Sequence, residues 1–242
     1  AYMTAIIIKT AQLLLSLCII TTVHELGHFL WARIFGMKVS KLQIFGFSIL
    51  SWTSKRTGTK YGLGWLPLGG YCLIPDIQNE QKAWKKLLVY AGGVINNMLL
   101  ACAIFMCIVW ISTPTTTAHS PEIIERGAYI MSQSIQGYGQ AVASSDISDT
   151  GGLLTLGNIF PSTWQWLRFW FITAYLSMAI AFMNILPIPG LDGGQITFII
   201  IEAIIRRPLN ETFKLCANLL GLLFVLGIII YGNYNDIRYF LI

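Results

Sequence analysis

The chain has 242 residues, of which 55% are hydrophobic and only 11% are charged. A soluble domain usually carries about 25% charged residues, so this chain has too little polar surface to cover itself in water. Its formal net charge of +5 does not indicate nucleic-acid binding, because nine of the sixteen Lys and Arg lie between Arg33 and Lys86 without forming a compact basic cluster. We therefore predict a protein whose partner is the lipid bilayer and not a nucleic acid.

Four apolar runs are long enough to cross a bilayer, which takes roughly 20 mostly apolar residues. They lie at about 4–35, 87–111, 166–186 and 215–231. A fifth run, Ile196–Ile205, is too short to cross alone, and either begins the last helix or lies in a cavity. The pattern predicts an α-helical polytopic membrane protein with about four transmembrane helices, in a single domain over residues 1–242.

The first apolar run contains the motif His24-Glu25-Leu26-Gly27-His28, which has the form HExxH. On a helix, residues at i and i+4 share a face, so the two imidazoles can bind one zinc ion. Glu25 lies on the neighbouring face, where it can act as general base toward a water molecule. Because a charge near the centre of a span costs about 2.5–3.5 kcal/mol, we interpret this motif as a catalytic metal site. The alternative is a helix end whose His and Glu are solvated at the membrane surface.

The segment Val39–Ile74 is too polar to cross the bilayer and too rich in glycine to be helical. The runs Lys41–Ile44 and Tyr61–Leu66 are typical of short strands, and the turn residues at Ser51–Thr59 separate them. We predict a β-hairpin-like loop over about 39–74 that is associated with the membrane. Its free edge can hold an extended substrate segment, or the segment is a plain cytoplasmic loop.

The connection between the second and third apolar runs contains an amphipathic pattern. Six apolar residues recur at alternating four- and three-residue steps over about 121–143: Ile124, Ala128, Met131, Ile135, Tyr138 and Val142. We predict a helix lying on the outer membrane surface, which anchors the chain there or gates substrate entry.

Membrane orientation follows from the distribution of Lys and Arg, which favours the cytoplasmic side. The first connection holds nine of them, and Arg206, Arg207 and Lys214 follow the third run, whereas the second connection holds only Arg126. Both termini are therefore expected outside, with the HExxH motif toward the cytoplasmic side of the membrane.

A catalytic zinc ion usually has three protein ligands, so the two histidines need a partner. His119 lies in the outer connection and is excluded by topology. Asp192 is the strongest candidate, because it follows Pro187 and Pro189 at the cytoplasmic end of the third run. There, backbone groups freed by proline are tolerated only beside protein or a water-filled cavity. The alternative is an aspartate that merely caps the next helix.

The combination of HELGH, a Gly-x-x-x-Asn motif within Ala91–Asn96 and the run Asn184-x-x-Pro-x-Pro-x-Leu-Asp192-Gly-Gly resembles the site-2 protease family of intramembrane zinc metalloproteases. It is similar in particular to the bacterial branch that processes anti-sigma factors. The resemblance covers nearly all of the chain, and it implies a multi-pass protein of the bacterial cytoplasmic (inner) membrane.

This resemblance implies a role for each matching residue. His24, His28 and Asp192 would hold Zn²⁺, and Glu25 would activate water. Asn184 would contact the substrate or the developing oxyanion. Asn96 would line the cavity or, alternatively, make a hydrogen bond between packed helices.

Two departures from the family pattern stand out. Members of this branch usually carry PDZ domains between the second and third spans, and Ser112–Gln165 is too short for one. We therefore expect no PDZ domain, whether the protein is naturally minimal or the domain has been removed, and PDZ gating is not carried over. Gln195 stands where many members have histidine, outside the ligand set.

Together these features predict an intramembrane zinc endopeptidase whose substrate is a single-pass membrane protein such as an anti-sigma factor. A membrane zinc transporter is an alternative, although such proteins usually carry ligands in several spans and an internal repeat. A non-catalytic membrane scaffold is the third possibility. A zincin with a cytosolic site is disfavoured, because the chain offers no long polar catalytic domain.

Overall fold

The computed structural model describes residues 2–66, 69–80, 82–112 and 152–241, together with the single residues 125, 129, 132, 133 and 136. Its helices are α1 (Tyr2–Ile34), α2 (Asp76–Asn79), α3 (Ala83–Ser112), α4 (Leu153–Asn158), α5 (Trp166–Ile185), α6 (Asp192–Ile205) and α7 (Glu211–Leu241). Its strands are β1 (Lys41–Ile44), β2 (Gly46–Thr53), β3 (Lys60–Leu66) and β4 (Tyr71–Leu73). The amphipathic helix predicted at 121–143 lies, apart from those single residues, outside this described part of the chain.

Helices α1, α3, α5 and α7 are long and apolar enough to cross a membrane, which confirms the prediction of four spans. The stretches that qualify are Met3–Ile34, Ala83–Ile111, Trp166–Ile185 and Glu211–Arg238. The second and fourth extend beyond the predicted apolar runs. Hydropathy indicates only the part of a helix that can lie in lipid. Backbone hydrogen bonds continue the helix beyond that part, as they do through Lys85 and Lys86 at the start of α3.

The short apolar run at Ile196–Ile205 belongs to a separate helix and does not begin the last one. Helix α6 starts at Asp192 and ends at Ile205, because the next residue, Arg206, has a left-handed φ of 57° that stops the helix. Helix α7 then begins at Glu211.

The four strands form one sheet in the order β2-β3-β1-β4. Strand β2 pairs antiparallel with β3, β1 pairs parallel with β3, and β4 pairs antiparallel with β1. A hairpin is present in this segment, but it does not join the two strands that were predicted to form it. The two predicted strands, β1 and β3, run parallel, and the antiparallel partner of β3 is β2, which the sequence pattern did not identify.

The reason is a crossing of the chain over the end of β3. Phe45 has φ 66°, so the backbone bends sharply after β1 and places β2 on the far side of β3. Gly64 makes this possible, because a Cβ there would lie 2.0 Å from the Gly46 carbonyl oxygen. Backbone crossings of this kind need contacts between residues distant in sequence, which local strand patterns do not report.

The chain packs into two compact units. One comprises 1–16, 98–182 and 224–242, and its core includes Ala101, Phe105, Ala174 and Met178. In it, the Asp236 carboxylate accepts hydrogen bonds from the backbone amides of Leu154 and Thr155 at the start of α4.

The other unit comprises 17–97 and 183–223. It contains the sheet and a core formed by Ala32, Met37, Val39, Ile74, Ile77 and Val89. The candidate metal ligands all belong to this unit.

Candidate metal centre

Helix α1 places His24 and His28 one turn apart, as the HExxH spacing predicts. Their ring centroids are 4.9 Å apart, and their Nε2 atoms are separated by 3.2 Å. The two rings therefore present the same nitrogen to one point.

Asp192 reaches the same point from the first turn of α6. Its Oδ2 atom lies 3.0 Å from Nε2 of His24 and 3.3 Å from Nε2 of His28. The N-cap of α6 is Leu191, and no side chain caps this helix end. The structure thus brings the Asp192 carboxylate to the imidazoles instead of using it as a helix cap. The positive end of the α6 dipole also favours a negative charge at this position.

The tautomer of His28 is fixed by the backbone of α3. Its Nδ1 atom lies 2.8 Å from the carbonyl oxygen of Val89. A carbonyl only accepts hydrogen bonds, so Nδ1 carries a proton, and in the neutral ring Nε2 therefore keeps its lone pair. Metal-binding histidines commonly use such a second partner to fix the ring, and here it leaves Nε2 free to bind a cation.

The donor set fits a zinc ion. Oδ2 of Asp192 is buried and has no hydrogen-bond partner within the described part of the chain, yet it faces the lone pair of His28. Two electron-rich atoms at 3.3 Å repel each other unless a proton or a metal cation lies between them. Bonds of about 2.0–2.2 Å in tetrahedral geometry hold ligand atoms roughly 3.3–3.6 Å apart, and the three observed separations are 3.0–3.3 Å.

Asp192 is ionised, as a metal ligand must be. Burial by itself would raise the pKa of this carboxyl, but without a metal ion the attraction of His24 and His28 in their protonated forms outweighs burial and holds the pKa below its ordinary value.

Glu25 lines the same cavity as the three ligands. The cavity has a volume of about 340 Å³, and its wall is completed by strand β4 and the start of α3. Glu25 is only 9% exposed, and the backbone of Gly70 packs directly on it, because a Cβ at Gly70 would lie 2.8 Å from Cγ of Glu25. The carboxylate is therefore enclosed with the ligands and shielded from bulk solvent.

Glycines on α1 and α3 create the space for the ligands. A Cβ on Gly93 would lie 2.5 Å from the His24 ring and 2.6 Å from Nε2 of His28, so any larger residue would occupy the metal position. A Cβ on Gly27 would lie 2.2 Å from the carbonyl oxygen of Gly92. The two helices are thus in backbone contact beside the site.

The sequence reasoning missed Asn97. This side chain is fully buried, and its Nδ2 atom lies 3.3 Å from Nδ1 of His24. The spacing Gly93-x-x-x-Asn97 could have pointed to it, since residues four apart share a helix face. Asn96 and Asn184 are half-buried and are not among the residues that line the cavity, so their proposed substrate roles stay predictions.

Cys72 also lines the cavity, but it is outside the group of His24, His28 and Asp192 whose ligand atoms lie together. Burial, and then the neighbouring Glu25, raise the pKa of its thiol to about 12. All five cysteines are free thiols.

Comparison with known proteins places the chain in a family. The sequence model of peptidase family M50 matches residues 12–228 of the 242. The chain belongs to peptidase family M50. This confirms the resemblance to the site-2 proteases.

Three similar curated proteins show the extent of the match. A Staphylococcus aureus protein named as a zinc metalloprotease is 47% identical over 70 residues, which is 28% of this chain and 16% of that protein. The metalloprotease MmpA of Caulobacter vibrioides is 39% identical over 36% of this chain and 20% of its own length. A Campylobacter jejuni protein, also named as a zinc metalloprotease, is 24% identical over 88% of this chain and 89% of its own length. The chain thus matches a fifth or less of the length of the first two relatives.

Proposed function

We propose that this protein is a zinc endopeptidase that hydrolyses peptide bonds within the transmembrane segments of membrane-anchored proteins. The convergence of His24, His28 and Asp192 in one cavity with Glu25 carries this proposal. Helix α1, which holds three of these four residues, is also long and apolar enough to cross a membrane. Membership of family M50 supports the reaction class.

Each of these residues has a chemical role in the proposed reaction. The two imidazoles and the Asp192 carboxylate hold the zinc ion. When bound, zinc supplies Lewis acidity, which polarises a carbonyl and makes water easier to deprotonate. Glu25 takes the proton from the attacking water and delivers it to the departing peptide nitrogen. Its burial keeps the proton between these two partners.

The sheet beside the site supports an extended substrate. Tyr71, Cys72 and Leu73 of strand β4 line the catalytic cavity, and β4 pairs with β1 along one side only, among the described strands. Its other edge offers backbone groups to which a substrate can add as a further strand. A helical segment would therefore unwind locally before cleavage, which exposes its peptide bonds.

The proposed substrate is a single-pass membrane protein, with anti-sigma factors as the proposed class. The Lys and Arg distribution supports a site on the cytoplasmic side with both termini outside. The proposed membrane is the bacterial inner membrane. Cleavage would then release a fragment into the cytosol.

The deciding experiment is cleavage of a single-span reporter in liposomes by the parent protein and by Glu25→Gln. We expect the substitution to lower the cleavage rate by at least about 100-fold, because general acid–base catalysis contributes about 10²–10⁴-fold. Zinc content should stay equal in both proteins, since Glu25 is not a ligand.

Equal cleavage by both proteins would contradict the role of Glu25. Zinc uptake into liposomes without cleavage would favour a transporter. Zinc binding with neither activity, over a panel of reporters, would favour a scaffold.

A further inference from the structure

The turn that carries Asp192 has backbone hydrogen bonds of its own, from the N–H of Ile188 to Leu186 and from the N–H of Leu191 to Ile188, but several of its backbone groups cannot contribute. Pro187 and Pro189 have no N–H to donate, and α6 begins without a side-chain cap at Leu191. Asp192 follows directly, as the first residue of α6. The position of its carboxylate therefore depends in part on what packs against the turn.

Asn218 on helix α7 binds this turn on both sides of Asp192. Its Oδ1 atom accepts one hydrogen bond from the backbone N–H of Gly190 at 3.0 Å and another from Nε2 of Gln195 at 3.1 Å. One carboxamide oxygen thus joins the residue two positions before the ligand to the residue three positions after it.

The backbones of the turn and of α7 are also in direct contact. A Cβ on Gly221 would lie 1.7 Å from the carbonyl oxygen of Pro189, and one on Gly190 would lie 3.2 Å from the Asn218 carbonyl oxygen. Gly190 has φ 92°, which favours glycine. Such close packing leaves the turn little freedom to shift along the helix.

The first turns of α7 are in turn tied to α6. Oε1 of Glu202 accepts a hydrogen bond from the Leu209 amide at 2.9 Å and forms an ion pair with Nζ of Lys214 at 2.7 Å. Helices α6 and α7 therefore form a fixed corner that brings Asn218 to the turn.

We propose that Asn218 is a positioning residue for the zinc ligand Asp192. It is not among the residues that line the cavity of the three ligands, and it acts through the backbone of Gly190 and the side chain of Gln195. This inference rests on the proposed function only for its consequence in catalysis, because the effect on metal binding can be measured without a substrate. Metal sites lose function when their supporting residues allow shifts of about 0.5 Å or more.

The test compares Asn218→Leu, which removes the acceptor at similar volume, with Asn218→Asp, which keeps an acceptor oxygen. We expect Asn218→Leu to weaken zinc binding by roughly 10–100-fold, the usual effect of losing a residue that supports a metal ligand. Asn218→Asp should restore most of the affinity. Leu219→Ala, at an exposed neighbouring position, is the matched control and should leave the zinc affinity unchanged.

Three readouts separate positioning from general stability. Zinc affinity is measured by competition with a chelator, and unfolding of the zinc-free protein is measured in detergent. Cobalt(II) bound in place of zinc gives an absorption spectrum that reports ligand geometry. Asn218→Leu should change the affinity and the cobalt spectrum while the zinc-free protein stays folded. Gln195→Leu, which removes one of the two hydrogen bonds, should give a smaller effect of the same kind.

Unchanged zinc affinity and cobalt spectrum in Asn218→Leu would overturn the inference. An equal loss of zinc affinity in Asn218→Asp and Asn218→Leu would also overturn it, because the acceptor oxygen would then have no role. If instead Glu25→Gln cleaves as well as the parent while Asn218→Leu still loses zinc, the proposed function fails and the positioning role stands.

Discussion

At the scale of single residues, the hydrogen-bond chemistry of the two histidines decides which nitrogen can bind metal. His28 meets a carbonyl, which fixes its proton on Nδ1. Nδ2 of Asn97 faces Nδ1 of His24. In this arrangement Nδ2 donates the hydrogen bond and Nδ1 of His24 accepts it. Zinc binding through Nε2 of His24 requires Nδ1 to donate instead. The Asn97 amide must then turn to present Oδ1 to the ring.

Asn97→Leu is therefore expected to weaken zinc binding by about 10–100-fold, because a ring without its second partner is no longer held in the right orientation. Chelator competition measures this loss. Asn97→Asp keeps an oxygen acceptor and should retain much more of the affinity. If the leucine variant binds zinc as tightly as the parent, His24 is oriented by other contacts.

At the scale of secondary-structure elements, the site depends on how closely α1 and α3 approach. Gly27 and Gly92 are in backbone contact, and their approach brings Val89, Gly93 and Asn97 to the histidines. Small residues allow helices to pack this closely within a membrane.

Gly27→Ala should force the two helices apart, because the added Cβ would lie 2.2 Å from the Gly92 carbonyl oxygen. Overpacking of this kind typically costs about 1–3 kcal/mol, which would appear as a lower midpoint of thermal unfolding in detergent and a lower zinc affinity. Gly227→Ala is the matched control, since nothing lies within 4 Å of a Cβ there. Equal behaviour of the two variants would show that the helices can adjust.

At the scale of the whole molecule, charge distribution predicts how the chain crosses the membrane. The Lys-rich connections belong on the cytoplasmic side, so Thr163, before α5, is expected outside and Thr212, at the start of α7, inside. Both side chains are exposed, which makes them suitable labelling positions.

Single cysteines at these two positions, in a chain whose five native cysteines have been replaced, test this orientation. A membrane-impermeant thiol reagent added to intact cells should label Thr163→Cys and not Thr212→Cys. Permeabilising the cells should expose Thr212→Cys. The reverse pattern would place the site on the outer side.

The sequence by itself determined the four spans and the choice of His24, Glu25, His28 and Asp192 as candidates. Hydropathy and the i, i+4 spacing are local properties, and a chain with so few charged residues leaves few side chains that can bind a metal. The roles of these four residues still await the tests above.

Only the tertiary structure decided the rest. The order of the strands depends on the chain crossing β3 at Gly64. Whether Asn96 or Asn97 contacts His24 depends on which face of α3 packs against α1. The contact between Asn218 and the Asp192 turn joins residues 28 positions apart. Such contacts are set by the packing of elements distant in sequence, and no local pattern of residues reports them.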